Sequence, residues 1–375
     1  MNRSRWSGFT LIELLVVLVI SALLAGMVVH AIRKVQTAAH HSSCWENLHR
    51  APFVFTLPVA VPAPPSADFR VRHDLIVKDI PTGSKKVCVW FWLPDDDEAQ
   101  KILDLKVSTA PKDYRVTRDA QNGHRYLFTE VSDPKGTLLL GTEFALRRQA
   151  IAVDLDPMKA ESLTDAHRKL FAEYLRRDCP NMEVNDAVEK LANRICGDET
   201  NVVKQIYRLY DYLVESTHHY SKPGAPKSSG LGSVNYCLDS KGGGCTDQHA
   251  LFIALARARG IPTRLHFGSR LQAKNEGKDH DPGYRCWVTY FVPNYGWVPM
   301  DVSAGNTTPK EKDRYWSGLD ERRIRFLEGR DLELNPKQQG PRVNLLIVAY
   351  VEVDGKPHTK FERVLHFHEV RDARN

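Results

Sequence analysis

The sequence predicts an α+β fold carried behind an N-terminal transmembrane helix, and three observations predict it. Residues 9–29 are an apolar run. Residues 67–157 alternate apolar and polar side chains in several stretches. From Met158 the apolar spacing becomes helical, and it leads into three glycines, a cysteine and a second apolar run. Period two puts alternate side chains on opposite faces of a strand, whereas a spacing of three to four collects them on one helix face. An antiparallel β-sandwich followed by a helix-rich region with further strands is therefore expected.

Size and composition fit that division. The chain has 375 residues, enough for two or three domains and for a core that needs no disulfide staples. Hydrophobic residues make up 42% and charged residues 26%, which excludes collagen-like, disordered and multi-span membrane classes for the bulk. The 52 basic and 46 acidic residues leave a net charge of +6 and are interspersed, so no nucleic-acid partner is expected. Seven cysteines without a CxxC pair argue against a disulfide scaffold and a thiolate zinc site, and no cofactor is implied.

The first element is the anchor. Met1–Gly8 is short and polar, with Arg3 and Arg5, and Arg33 and Lys34 close the apolar run. At about 1.5 Å per residue, residues 9–29 span a hydrocarbon core of about 30 Å. The carboxylate of Glu13 costs a few kcal/mol in lipid, and no small-x-small cleavage site follows the run. The words Gly8-Phe9-Thr10-Leu11-Ile12-Glu13-Leu14-Leu15 resemble the N-terminus of type IV prepilins and type II pseudopilins. That resemblance implies cleavage after Gly8 by a prepilin peptidase and methylation of the Phe9 amine. It also implies that Glu13 pairs with the N-terminus of a neighbouring pilin-like subunit. Residues 31–44 resemble the helix that continues from such anchors, giving a leader at 1–8 and a transmembrane and continuing helix at 9–50. Basic residues before the span keep that end in the cytoplasm. The globular part is then expected outside the cytoplasmic membrane, in the periplasm.

Prolines 52, 58, 62, 64 and 65 make residues 51–66 a stiff linker, because proline fixes φ and removes a donor. In the sandwich region, Phe69, Val71, His73, Leu75 and Val77 alternate with polar residues, as do parts of Lys86–Leu93 and Arg125–Val131. Turn clusters such as Pro81-Thr-Gly-Ser separate them. Trp90 and Trp92 sit two apart on one strand face and read as core aromatics. Leu170, Phe171 and Leu175, then Val184–Ile195 and Val202–Val214, supply three helical patterns.

Gly242-Gly243-Gly244 leads directly into Cys245, an apolar helical run follows, and Gly260 and Pro262 end it. A thiol at a helix N-terminus feels the positive end of the dipole and free N–H groups, which favour thiolate. Gly-Cys-Thr-Asp-x-His-Ala-Leu-Phe, followed by Arg-Ala-Arg-Gly-Ile-Pro-Thr-Arg, resembles the core motif of the bacterial transglutaminase-like superfamily. Residues 283–293 and Tyr295-Gly-Trp-Val-Pro-Met-Asp301 are similar to that family's second strand pair. The resemblance implies a papain-like core, in which a helix bearing the thiol packs on an antiparallel sheet. It puts Cys245 at the nucleophile position and Asp301 at the base-orienting position. The catalytic histidine position falls on Arg285, and a guanidinium cannot shuttle protons.

Two histidines are open as substitute bases. His249 lies four residues along the helix from Cys245, on its face, and His280 lies in the loop five residues before the strand. His266 reads as structural. His366 and His368 share one strand face, a metal-site geometry, but lack a third ligand nearby, so no metal is expected. Arg322, Arg323 and Arg325 read as a solvated basic face. His218-His219-Tyr220 precede a Gly/Pro/Ser loop at 222–232 that could rim the groove. The expected division is a transglutaminase-like domain at 158–335 and C-terminal strands at 336–375 packed on it. The expected function is a thiol-dependent amide or peptide hydrolase or acyltransferase with a peptide or protein substrate. The alternative is a catalytically inactive peptide-binding module displayed on the pseudopilin-type anchor.

Overall fold

The computed structural model describes residues 64–119, 121–281, 283–344 and 349–371. The apolar run with Gly8, Phe9 and Glu13 lies outside the described residues. Among those described, no helix is long and apolar enough to cross a membrane. Six strands come first: β1 (Ser66–Val77), β2 (Lys86–Trp92), β3 (Gln100–Thr109), β4 (Tyr114–Arg118), β5 (Arg125–Ser132) and β6 (Leu138–Gln149), followed by the short β7 (Ile151–Ala152). Helices α1 (Asp165–Leu170), α2 (Asp186–Cys196) and α3 (Val202–Ser216) precede β8 (His218–His219), α4 (Val234–Ser240) and β9 (Gly242–Gly243). The thiol helix α5 (Cys245–Ala258) leads to β10 (Thr263–Arg270), β11 (Arg285–Val292), β12 (Gly296–Met300) and α6 (Val302–Thr307). After α7 (Lys312–Tyr315) come β13 (Gly318–Leu319), β14 (Arg323–Glu328), β15 (Ala349–Val353), β16 (Lys356–Pro357) and β17 (Phe361–Val370).

Two antiparallel sheets form the sandwich, with strand orders β17-β1-β6-β3 and β16-β15-β2-β5-β4. Their inner faces share a core that includes Leu75, Leu140, Val89, Phe91, Leu127 and Val351. The C-terminal strands complete both sheets: Asp68 pairs with Val370 and Val89 with Val351. They also reach the second region, because His280 bridges Leu365. Trp90 and Trp92 are buried, as expected, in a larger core continuous with the helices. The first helical pattern is instead the short α1, none of whose residues is buried.

His73 on β1 is fully buried, stacked on Phe326 and tilted against Phe91, with ring centroids 4.9 and 5.0 Å away. Neither ring nitrogen has a hydrogen-bond partner among the described residues. Burial, helped by the charge of Arg363, pushes its pKa down to about 3. Between that value and the ordinary histidine value of about 6.5, the unfolded chain holds the extra proton, so stability rises with pH across this window. The slope approaches about 1.4 kcal/mol per pH unit for one such group. His73→Phe is expected to flatten the pH dependence of the urea midpoint there. The part due to His266, also depressed to about 3, would remain.

The second region is an antiparallel sheet of order β12-β11-β10-β14 against which α5 packs. Helix α5 is buried from Cys245 through Arg257, which suits its apolar run at 250–256 and encloses the polar Thr246, Asp247, Gln248 and His249 as well. Asparagines 185 and 201 cap α2 and α3, and both helices turn apolar faces to the same core.

Candidate active site

The glycine triplet places the thiol by letting chain segments approach closely. Gly242 and Gly243 pair in parallel with His218 and His219, and Tyr220 N donates to Gly243 O at 2.8 Å. A Cβ on Gly242 would lie 2.3 Å from the His218 carbonyl oxygen. Gly243 has φ +136°, and a Cβ there would lie 2.5 Å from Asp247 Oδ2. The protein's own backbone and side chains therefore fill the space beside these glycines. The two-residue bridge carries His219 to the N-terminus of α5, where it is among the groups that lower the Cys245 pKa. His219 is itself held: its N–H donates to Asn306 Oδ1 at 3.0 Å, and its Nδ1 lies 2.8 Å from Ser221 Oγ.

The loop at 222–232 closes over the same helix end. Asp247 accepts from Ser229 N (3.1 Å), Ser233 N (2.8 Å), Gly244 N (2.7 Å) and the Ser229 hydroxyl. Arg330 donates to the carbonyls of Leu231 and Gly232. Beneath this cover Cys245 is only 3% exposed.

The start of β11 brings a second thiol to the site. Cys286 Sγ lies 3.1 Å from His249 Nδ1. The other face of the His249 ring meets α6: Nε2 accepts from Val302 N at 3.1 Å and lies 3.4 Å from Asp301 Oδ1. Asp301 caps α6 through Ala304 N (2.8 Å), accepts from Ser303 Oγ (2.7 Å) and forms a buried ion pair with Arg323 at 2.7 Å. Burial opposes ionisation of Asp301, but the Arg323 charge and the hydrogen bonds outweigh it and hold the carboxyl well below its ordinary range.

Cys245 is held well below the ordinary thiol value. The hydrogen bond from Cys286 is the largest cause; burial opposes it, and His219, His249 and Arg285 add to the lowering. The position at the start of α5 works in the same direction. Cys286 goes the opposite way, pushed well up by burial and by the neighbouring Cys245. The two thiols are thus pushed in opposite directions.

Residues 189–302 match the model of the transglutaminase-like superfamily. They form a transglutaminase-like domain. Residues 6–29 match the prokaryotic N-terminal methylation motif. A protein of Haemophilus influenzae described as uncharacterized is 25% identical over 339 residues, 79% of this chain and 88% of that protein. The Bacillus subtilis protein YebA, also described as uncharacterized, is 22% identical over 204 residues. That match covers 51% of this chain and 27% of YebA. A crystal structure described as "a putative cysteine protease" from Cytophaga hutchinsonii aligns with TM-score 0.57 and 15% identity. It covers 83% of this chain and 93% of its own, a likeness of fold.

Within the transglutaminase-like domain the expected site residues separate. Cys245, His249 and Asp301 come together, and Asp301 takes Arg323 rather than Arg285 as its cation. Arg285 stays near enough for its charge to favour the thiolate, while one of its guanidinium N–H groups donates to Tyr284 O at 2.8 Å. His280 sits against Phe367 and bridges Leu365, so it packs on the sandwich strand β17. The basic cluster is not a solvated face: Arg323 is 0% exposed, Arg325 pairs with Asp97 and Arg322 with Glu369. Among the described residues no group of three or more His, Cys, Asp or Glu could hold a metal ion. His219, Cys286 and Arg323 were not expected at the site. For His219 the sequence signal was its place just before the loop; for Cys286 it was its place directly after the histidine position.

Proposed function

We propose that the transglutaminase-like domain is a thiol enzyme acting on amide or peptide bonds of a peptide or protein through a thioester on Cys245, with His219 moving the proton. The observation that carries this reading is the parallel bridge of His218–His219 to Gly242–Gly243, which brings an imidazole to the start of α5 two residues before Cys245. Cys245 Sγ attacks the carbonyl carbon, and the N-terminus of α5 faces the developing negative charge with its dipole. His219 then protonates the departing amine, and the thioester forms. Water, or a second amine in acyl transfer, gives its proton to His219 as it attacks the thioester and frees Cys245. Asp301, fixed by Arg323, orients His249, which sits against Cys286 rather than against the nucleophile. The anchor belongs to the same proposal: processed at Gly8, it holds the domain outside the cytoplasmic membrane, where pilin-like subunits are its neighbours.

The low exposure of Cys245 favours a second reading, a closed groove that binds a peptide without turnover. Alkylation by iodoacetamide, mapped by peptide mass spectrometry, tests the thiolate that the first reading needs. Burial pushes Cys88 and Cys237 up to about 12 and raises Cys179, Cys196 and Cys286 as well. Cys245 should therefore react first among these six, with a rate whose midpoint lies below the free-cysteine value of about 8.5. A Cys245 that resists the reagent while the others react, or that titrates at or above that value, sinks the enzyme reading.

A further inference from the structure

His366 and His368 of β17 have no part in the proposed mechanism. They lie on the outer face of the sheet β17-β1-β6-β3, across from Arg72 and Arg70 of β1, while Leu365 and Phe367 between them point to the core. Their spacing alone lacked a third ligand; the structure adds how the two rings are aimed. His366 Nε2 lies 3.0 Å from His368 Nε2, and His366 Nδ1 lies 2.8 Å from Asp279 Oδ1. An ionised carboxylate only accepts, so His366 carries its proton on Nδ1 and turns the Nε2 lone pair toward His368. The second ring is held from its other side: a Cβ on Gly277 would lie 3.1 Å from His368 Cε1, and Gly277 N donates to Phe367 O at 3.0 Å.

We propose that His366 and His368 form a two-histidine site for a divalent transition metal of the Ni²⁺ or Cu²⁺ class, with Asp279 behind His366 and water completing the coordination. The nitrogen–nitrogen distance selects the class. With metal–nitrogen bonds of about 2.0–2.1 Å, two ligands at a right angle lie about 2.8–3.0 Å apart, and two at a tetrahedral angle about 3.3–3.4 Å apart. The observed 3.0 Å is the right-angle case, which belongs to tetragonal Ni²⁺ and Cu²⁺ rather than to tetrahedral Zn²⁺. A carboxylate on the far nitrogen of a ligating histidine fixes its ring and raises its basicity, and Asp279 stands in that position. Binding needs one proton to move. His368 gives up the Nε2 proton that it shares with His366 and takes one at Nδ1 through water, so both Nε2 lone pairs face the metal.

The surroundings account for two protein ligands and not three. A groove of about 300 Å³ beside the histidines has room for the waters, but its carboxylates are engaged. Asp104 pairs with Arg70, and Glu143 pairs with Lys106. The Arg72 charge is offset by Asp74 and by Asp279 itself. Asp279 lies between β10 and β11, and the adjacent His280 bridges Leu365 of β17. A metal on His366 would therefore tighten the seat of that segment on the sandwich.

The test titrates the untagged, metal-free full-length protein with NiCl₂ and with ZnCl₂ by calorimetry. Wild type should bind Ni²⁺ more tightly than Zn²⁺, and His366→Gln and His368→Gln should each weaken Ni²⁺ binding by at least tenfold. Asp279→Ala, which removes no ligand, should weaken it by about 10–100-fold. Ni²⁺ should also protect His366 and His368 of wild type from diethyl pyrocarbonate, mapped by peptide mass spectrometry. That readout decides the matter even if a variant fails to fold. No Ni²⁺ binding, binding that neither histidine variant weakens, or modification of both histidines undiminished by Ni²⁺ overturns the site. Zn²⁺ bound more tightly than Ni²⁺ at these histidines overturns the metal class.

Discussion

Replacing His219 with glutamine is expected to lower turnover of an amide substrate by about 10²–10⁴-fold, the usual contribution of a positioned acid–base group. Glutamine retains hydrogen-bonding capacity beside Ser221 and Cys245 but cannot accept or return a proton. The loss should fall on kcat as well as on kcat/KM, because the same group serves acylation and release. The companion substitution Arg285→His should change turnover by less than about tenfold, far short of the acid–base contribution. An imidazole at 285 would find both Asp301 oxygens already engaged, Oδ1 by Ser303 and the Ala304 N–H and Oδ2 by Arg323. If Arg285→His raised activity by orders of magnitude while His219→Gln left it intact, the base would belong on β11.

The largest stability effect is expected at Arg323. This side chain is 0% exposed and holds two carboxylates, Asp301 at 2.7 Å and Asp320 at 3.0 Å. Arg323→Met keeps much of the volume but strands the Asp301 charge, leaving the His249 ring at 3.4 Å beside it. Asp320 retains Arg270 at 3.3 Å. Breaking one side of a buried pair typically costs about 3–5 kcal/mol, visible as a lower urea midpoint at neutral pH. Because the folded Asp301 pKa is depressed, its contribution is present above the ordinary carboxyl value of about 3.9 and is lost as pH falls through the folded value. The gap between variant and wild type should therefore narrow in acid. An unchanged midpoint at neutral pH would show that the pair does not hold Asp301 in place.

Much of this architecture was legible because local periodicity reports which face of an element is buried. Phe69 to Val77 became β1, Lys86–Leu93 became β2, and the glycine–cysteine junction became the start of α5. Periodicity does not name the partner of a face. Nothing near Asp68 indicates that Val370 lies across from it, or that β15 would join β2. The site divides along the same line. Cys245 was marked by its own neighbours, the glycines and the helix, and His249 by its spacing of four on that helix. His219 reaches the thiol only through a two-residue parallel bridge to Gly242–Gly243, a contact made across the 222–232 loop. Arg323 looked solvated because its sequence neighbours are charged. Its burial is decided by β14 pairing with β10 and by Asp301 arriving from the end of β12.

The most direct measurement is a rapid-quench experiment on the wild-type protein with an activated amide, weighing the Cys245 peptide over time. The account predicts an acyl adduct on Cys245 that forms, then decays at a rate matching continued product release, and that decays much more slowly in His219→Gln. No adduct on Cys245, or an adduct that forms once and persists in wild type, would contradict it and leave a groove that binds without turning over.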